Sequence, residues 1–290
     1  MQKAREIKRR MRSVDNTRKI TRTMEMVAAS KLRRAQGRVL EARPYAERLG
    51  EVIRRLITPE LAEVQPLLRR PERDRRAAVL LLTSNRGLCG AFNTNLIRKA
   101  RELLDELEAA GTEVELHVVG RKGLAFFRFR GVPLATARTD IDDRPTLEEA
   151  RSLIVPIRDR FASGELDAAF LVYAEFRSPV STPPVARQLL PVEVAGRTAG
   201  PEPYYILDPS PEEILSRLLP LYVTNAAFRA LLETAAAEQG ARRTAMKSAT
   251  DNAEEFLNDL RRTYNRARQA EITQQIAEIM GGAEALRETG

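Results

Sequence analysis

The sequence predicts an α/β fold joined to long helices: an antiparallel two-helix coiled coil from the N- and C-terminal segments, with an inserted α/β, Rossmann-like domain. Three observations point there. Apolar residues recur at alternating steps of four and three within residues 1–57, the same spacing returns within residues 210–290, and the stretch between alternates short apolar runs with helical periods. The expected divisions are an N-terminal coiled-coil helix over 1–57, a connector over 58–76, the α/β domain over 77–194, a linker over 195–209 and a C-terminal coiled-coil helix over 210–290.

The first segment has no glycine before Gly37 and no proline before Pro44, and it is rich in Arg, Lys, Ala, Met and Glu, all good helix formers. Ala28, Leu32, Ala35, Val39, Ala42, Ala46, Leu49, Ile53 and Leu56 make the heptad seam. Carried backwards, that register reaches Val14, Met11 and Ile7 but also meets Arg18, Thr21 and Glu25. Ile20, Met24 and Val27 form an apolar stripe elsewhere, so a seam shift is expected there. Pro44 lacks the N–H that a helix interior uses, and a kink is expected near Arg43.

The last segment opens with Ser210, Pro211 and Glu213. Ser210 with Glu213 reads as a capping box, and Pro211 suits the first helical position. The register then runs from Ile214 through Leu218, Leu221, Asn225, Phe228, Leu232, Gln239, Arg242, Met246, Ala249, Phe256 and Leu260 to Ala277, with an end expected at Gly281 and Gly282. At about 1.5 Å per residue the two helices would extend roughly 85 and 105 Å, too long for a globular core, so each stripe is expected to bury the other.

In the insert, Ala77 to Thr83 reads as a buried strand, Asn95 to Ala110 as a helix, Glu113 to Val119 as a strand and Lys122 to Arg130 as a short helix. Thr146 with Glu149 makes a second capping box, opening a helix from Leu147 to Ala162. Asp167 to Phe176 and Val185 to Val192 read as strands, the latter at an edge because prolines precede it. Strand and helix alternation implies a mostly parallel sheet.

Composition removes most catalytic chemistry. One cysteine, Cys89, excludes an internal disulfide, and one histidine, His117, excludes a histidine-rich metal cage. No run of about 18 uncharged apolar residues suggests a membrane span, and no secretory signal pattern opens the chain, so a soluble, folded protein is expected. Gly87 to Gly90 follow the first strand, where a phosphate loop would sit, but match neither dinucleotide nor P-loop spacing. Gly120 to Gly123 resemble an anion nest and read more simply as a strand-to-helix turn. Asp140, Asp142 and Asp143 lack calcium-loop spacing and read as a solvated acidic loop. No catalytic, cofactor or metal site is expected. Residues 1–57 hold 17 Lys or Arg against 6 Asp or Glu. That charge suits either a phosphate backbone or an acidic protein surface, although Tyr45 is the only aromatic residue there to stack on bases.

Three stretches resemble the gamma subunit family of rotary F-type ATP synthases: Ile7 to Gln36 (IKRRMRSVDNTRKITRTMEMVAASKLRRAQ), Thr83 to Asn95 (TSNRGLCGAFNTN) and Asn265 to Leu286 (NRARQAEITQQIAEIMGGAEAL). The resemblance implies a non-catalytic rotor shaft that couples ion flow through a membrane ring to the cycling of catalytic beta subunits. The implied partners are a hexamer of alpha and beta subunits, an epsilon subunit and a membrane c-ring, with no nucleic acid and no direct membrane insertion. The implied location is a peripheral complex on the cytoplasmic face of the bacterial plasma membrane. Met24, Glu25 and Lys31 match family residues facing the beta subunits, and Arg268, Gln269 and Thr273 match residues that meet the same region from the other helix. Departures from the family pattern fall at Asn85, Ala91, Gln275 and Glu271, where an acidic contact shifts by one turn, and at Gly240, where local helix softness is expected.

Overall fold

A computed structural model describes residues 2–193 and 210–288, so the linker expected over 195–209 lies outside the described residues. The elements are α1 (Gln2–Leu56), α2 (Pro59–Val64), β1 (Arg76–Leu82), α3 (Phe92–Ala109), β2 (Glu113–Val119), α4 (Arg121–Phe129), β3 (Thr136–Arg138), α5 (Leu147–Ala162), β4 (Ala168–Ala174), β5 (Pro184–Leu190) and α6 (Pro211–Glu288). They form two compact units: residues up to Val27 with those from Arg243, and Ala28–Arg242. The two long helices contribute to both.

In the larger unit the sheet has the order β3-β2-β1-β4-β5, parallel throughout except that β5 runs antiparallel at the edge. Central β1 is an almost unbroken apolar run because both of its faces are covered. Val79 and Leu81 face Phe92, Leu96 and Phe127 of α3 and α4. Ala78, Leu80 and Leu82 join a second cluster with Ile154 and Ile157 of α5, Leu49 and Ile53 of α1, and Leu215 and Leu219 of α6. The long helices thus supply one layer of the domain's own core.

Local signals set the helix starts. Thr146 Oγ1 accepts from the Glu149 amide at 3.2 Å while Glu149 Oε2 accepts from the Thr146 amide at 2.7 Å, the expected capping box of α5. The Glu213 amide donates to Ser210 Oγ at 3.2 Å, but the Glu213 carboxylate pairs with Arg217 one turn on. The short β3 was not expected; three residues with little burial leave no periodic trace, and its place is set by pairing with His117 to Val119.

Within this unit α1 and α6 are antiparallel. Leu32 lies against Gly240, Ala35 and Val39 against Leu232 and Ala236, and Gly50 against the Tyr222 ring. On α1 the expected seam from Ala28 to Leu56 is buried except for the half-buried alanines Ala42 and Ala46. At the start of α6 the expected seam is corrected. The buried stripe is Leu215, Leu219, Val223, Ala227 and Leu231, whereas Leu221 is 51% exposed. Each step of four carries the buried face about 40° further round the helix, as suits a helix wedged between α1 and the sheet rather than paired with one partner.

Gly240 also differs from expectation. A Cβ there would stand 3.1 Å from the carbonyl oxygen of Pro179, in the hairpin between β4 and β5. The residue permits a close backbone approach over a continuous helix and is no soft spot. Pro44 lies inside α1, which continues to Leu56, and α6 runs through Gly281 and Gly282 to Glu288. Two glycines cost about 1 kcal/mol each relative to alanine, too little to end a helix among good formers.

In the smaller unit the expected seam shift on α1 does not occur. Ile7, Met11, Val14, Arg18, Thr21 and Glu25 are covered or partly covered, in one unbroken heptad register with Ala28, while of the other stripe Ile20 and Val27 are 60% and 52% exposed and Met24 is half-buried. On α6 the stripe is Met246, Thr250, Ala253, Leu257 and Leu260; Thr250 and Leu257 replace the expected Ala249 and Phe256. Phe256 is 52% exposed beside Leu257 at 4%.

Candidate partner-binding surface

The residues that invited catalytic readings are occupied by structural work. In the Gly87 turn Leu88 and Gly90 take positive φ values of 62° and 58°, and the Gly87 carbonyl accepts from Arg242 of α6 at 3.2 Å. Arg242 is buried and is held by Glu238 at 2.7 Å, so the turn docks the sheet domain onto the helix. At Gly120, with φ of 99°, a Cβ would collide with the Thr83 carbonyl at 2.2 Å. The following amides of Arg121, Lys122 and Gly123 donate to Asn85 Oδ1, Ser84 O and Thr83 Oγ1, leaving none of the three for an anion.

Cys89 is buried, its Sγ accepts from Asn93 Nδ2 at 3.2 Å, and burial pushes its thiol pKa up, so it stays protonated and unreactive. His117 packs on β2 with Nδ1 2.9 Å from Thr136 Oγ1, which ties β3 to the sheet. Burial, partly opposed by Glu115, holds its pKa below the usual imidazole value. Glu115 itself is claimed by Arg160 at 2.6 and 2.8 Å. Among the described residues no group of three or more His, Cys, Asp or Glu could hold a metal ion.

The acidic loop is not merely solvated. Asp140 pairs with Arg138 at 2.6 Å, and the hydrogen bonds from that guanidinium hold its pKa at about 2. Asp143 receives Lys31 Nζ at 2.6 Å on its carboxylate and Arg38 Nη2 at 3.1 Å on its carbonyl. Lys31, expected to face a partner, therefore fastens this loop to α1 while remaining half-exposed.

Met24 and Glu25 are half-buried in the smaller unit, Glu25 within the seam. Arg268, Gln269 and Thr273 are exposed on α6. Thr21 meets Thr250 across the seam, so in an antiparallel pair Arg268, eighteen residues further along α6, lies opposite the first turn of α1. At about 1.5 Å per residue that is roughly 30 Å along the axis from Met24. The two groups therefore stand at different levels along the smaller unit. Gln275 is exposed and Glu271 half-buried, continuing the stripe of Tyr264 and Ala267.

The sequence reading missed a surface. Ile20, Met26 and Val27 on α1 and Phe256, Ile272, Ile276, Ile279 and Met280 on α6 are exposed apolar side chains in the smaller unit. Their signal was present in the second stripe on α1, which was assigned to the seam. These side chains lie outside the covered stripe, and those on α1 stand among its basic residues, where a protein partner could cover them.

Comparison with known proteins fits these features. The chain matches the family described as ATP synthase over residues 3–286. It is 57% identical over 289 residues to the ATP synthase gamma chain of Gemmatimonas aurantiaca, covering 99% of this chain and 100% of that one. Two solved structures share the fold. A chain of the Euglena gracilis mitochondrial ATP synthase, OSCP/F1/c-ring, has a TM-score of 0.67 at 18% identity, over 98% of this chain and 94% of its own. A chain of the Tetrahymena thermophila mitochondrial ATP synthase central stalk and c-ring has 0.60 at 23%, over 79% and 99%.

Proposed function

Since this chain belongs to the ATP synthase family and matches its gamma chains along nearly its whole length, we propose that it is the central rotor shaft of a rotary ATP synthase, itself non-catalytic. It couples ion flow through a membrane c-ring to the conformational cycling of catalytic beta subunits. Its partners are the alternating alpha and beta subunits, the epsilon subunit and the c-ring, and it belongs to a peripheral complex on the cytoplasmic face of the bacterial plasma membrane. No helix among the described residues is long and apolar enough to cross a membrane.

The observation that carries the proposal is the pairing of a covered seam with exposed apolar residues on unlike outer faces in the smaller unit. Two helices of different sequence have no threefold symmetry. Three equal partners around them meet three different surfaces, and the state each adopts is the one that surface binds best. Turning the pair passes each partner through the states in order, at an energy set by the difference in contacts. Met24, Glu25 and Lys31 on α1, and Arg268, Gln269 and Thr273 on α6, are the residues proposed to meet the beta subunits. Co-purification tests this: tagged chain co-expressed with alpha and beta subunits brings both down in a complex that hydrolyses ATP. Recovery of the chain alone would remove the reading.

A further inference from the structure

Two loops at the carboxyl ends of the parallel strands grip the two long helices within the larger unit. After β1, Arg242 Nη2 of α6 donates to the Gly87 carbonyl at 3.2 Å and to Glu238 Oε1 at 2.7 Å, and Arg242 is buried. After β3, α1 holds Asp143: Lys31 Nζ donates to its carboxylate at 2.6 Å and Arg38 Nη2 to its carbonyl at 3.1 Å. A Cβ on Gly240 would stand 3.8 Å from Leu32, so Lys31 and Arg242 lie at one height on the antiparallel pair.

The two loops are also joined to each other. Asn85, two residues before Gly87, donates from Nδ2 at 2.8 Å to the carbonyl of Ile141, two residues before Asp143. Its Oδ1 accepts from the Arg121 amide at 3.1 Å, so both ends of one half-buried amide are engaged. A polar chain therefore runs from α6 through the turn, Asn85 and the loop to α1. Leu88 shows that the turn is held from outside. It keeps a left-handed backbone, φ 62°, while 62% exposed, so its own packing does not offset the strain and its surroundings fix it. The helices need such a hold here, because Ala28, Ala35, Ala236 and Gly240 around Leu32 offer only small knobs and shallow holes to set their register.

We propose that the Gly87 turn and the acidic loop form a clip, closed by Asn85, that locks α1 to α6 at this height. The hydrogen bonds of Asn85 reach neither long helix, which makes it a positioning residue: through it each grip supports the other, and loosening one loop loosens both. The clip belongs to the chain itself and does not depend on what the chain assembles with.

Cys89 supplies the test. It is the lone thiol and lies 2% exposed inside the same turn, so a reagent reaches it only when the turn opens. The measurement is the rate at which iodoacetamide modifies the folded 290-residue chain, relative to the rate in urea, with circular dichroism to verify folding. Arg242 and Glu238 are the charges that act on this thiol, so Lys31→Gln reaches it through the loops. Lys31→Gln should speed modification about two- to fivefold, the range open to a half-exposed ion pair, and Asp142→Ala should leave it unchanged. Asn85→Asp keeps the acceptor for Arg121 and removes the donor to Ile141. In that background modification should be faster from the start, and Lys31→Gln should add nothing. Asn85→Ala takes its place if Asn85→Asp fails to fold. An unchanged rate in folded Lys31→Gln, or the same acceleration by Lys31→Gln once Asn85 is replaced, would overturn the proposal.

Discussion

Thr21 and Thr250 join hydroxyl to hydroxyl at 2.8 Å across the seam between α1 and α6. The Thr250 hydroxyl has a second acceptor at 2.8 Å, the Met246 carbonyl, and Thr21 donates to the Arg18 carbonyl at 3.0 Å. A polar pair inside an apolar seam fixes register, since sliding either helix by one step breaks the hydroxyl–hydroxyl bond and sets each hydroxyl against apolar groups with only its own helix's carbonyl as partner. Thr21→Val should cost about 1 kcal/mol, and the double change to valine less than twice that, because the shared hydroxyl–hydroxyl bond is lost only once. Urea denaturation of the two single variants and the double variant checks this; strictly additive losses would show that the hydroxyls do not interact.

Two glycines on the long helices should respond oppositely. Gly37 has nothing within 4 Å of an added Cβ, so Gly37→Ala should stabilise by about 0.5–1 kcal/mol through backbone entropy and helix propensity. Gly240→Val meets the Pro179 carbonyl and should destabilise by about 1–3 kcal/mol. Thermal unfolding of both variants distinguishes the packing account from one in which Gly240 merely softens the helix, for which bulk there would stabilise.

Burial holds the His117 pKa below its ordinary value of 6.5. The unfolded chain therefore takes up a proton before the folded chain does, so stability is lost as the pH falls from about 6.5 toward the lower folded value. Above that range the histidine contributes no slope. His117→Gln should remove this part of the pH dependence while leaving the losses that follow protonation of Glu115 and Asp143 at more acidic pH. Identical stability-versus-pH curves between pH 7 and 5 for the two proteins would contradict the assignment.

Asp142 and Asp143 are neighbours with different roles. Asp143→Ala removes a half-buried ion pair to Lys31, worth at most about 1 kcal/mol after solvent screening, whereas Asp142 is exposed and Asp142→Ala should be neutral. Limited proteolysis of the loop should speed up in the first variant only.

How much of this was legible depended on what each residue answers to. The insert's strands and helices were readable because burial on both sheet faces, capping at Thr146 and glycine stops leave local marks. The seam of α1 from Ala28 to Leu56 was readable because one partner helix covers it. The seam failed where a second neighbour intervened: at Leu215 to Leu231, where the sheet covers another face, and at Thr21 and Thr250, where polar residues satisfy each other and apolar Ile20 and Phe256 are left outside. Such exchanges follow from pairing at long range, which a single strand of sequence does not display. The expected partner residues were placed by resemblance to a family, and only the helical register separates Met24 from Arg268 by level.

The adjacent residues Phe256 and Leu257 divide the outer surface from the seam. Leu257→Asp places a charge in a buried position and should unfold the helical pair locally, with reduced helicity by circular dichroism. Phe256→Asp should keep full helicity and instead weaken recovery of alpha and beta subunits. Equal loss of helicity in both would mean that the covered face is misassigned.

The central claim is that this chain turns inside its partners. A bead fixed to the sheet domain, with the alpha and beta subunits held on a surface, should rotate stepwise in one direction while ATP is hydrolysed. Continued hydrolysis with the bead stationary would contradict the account.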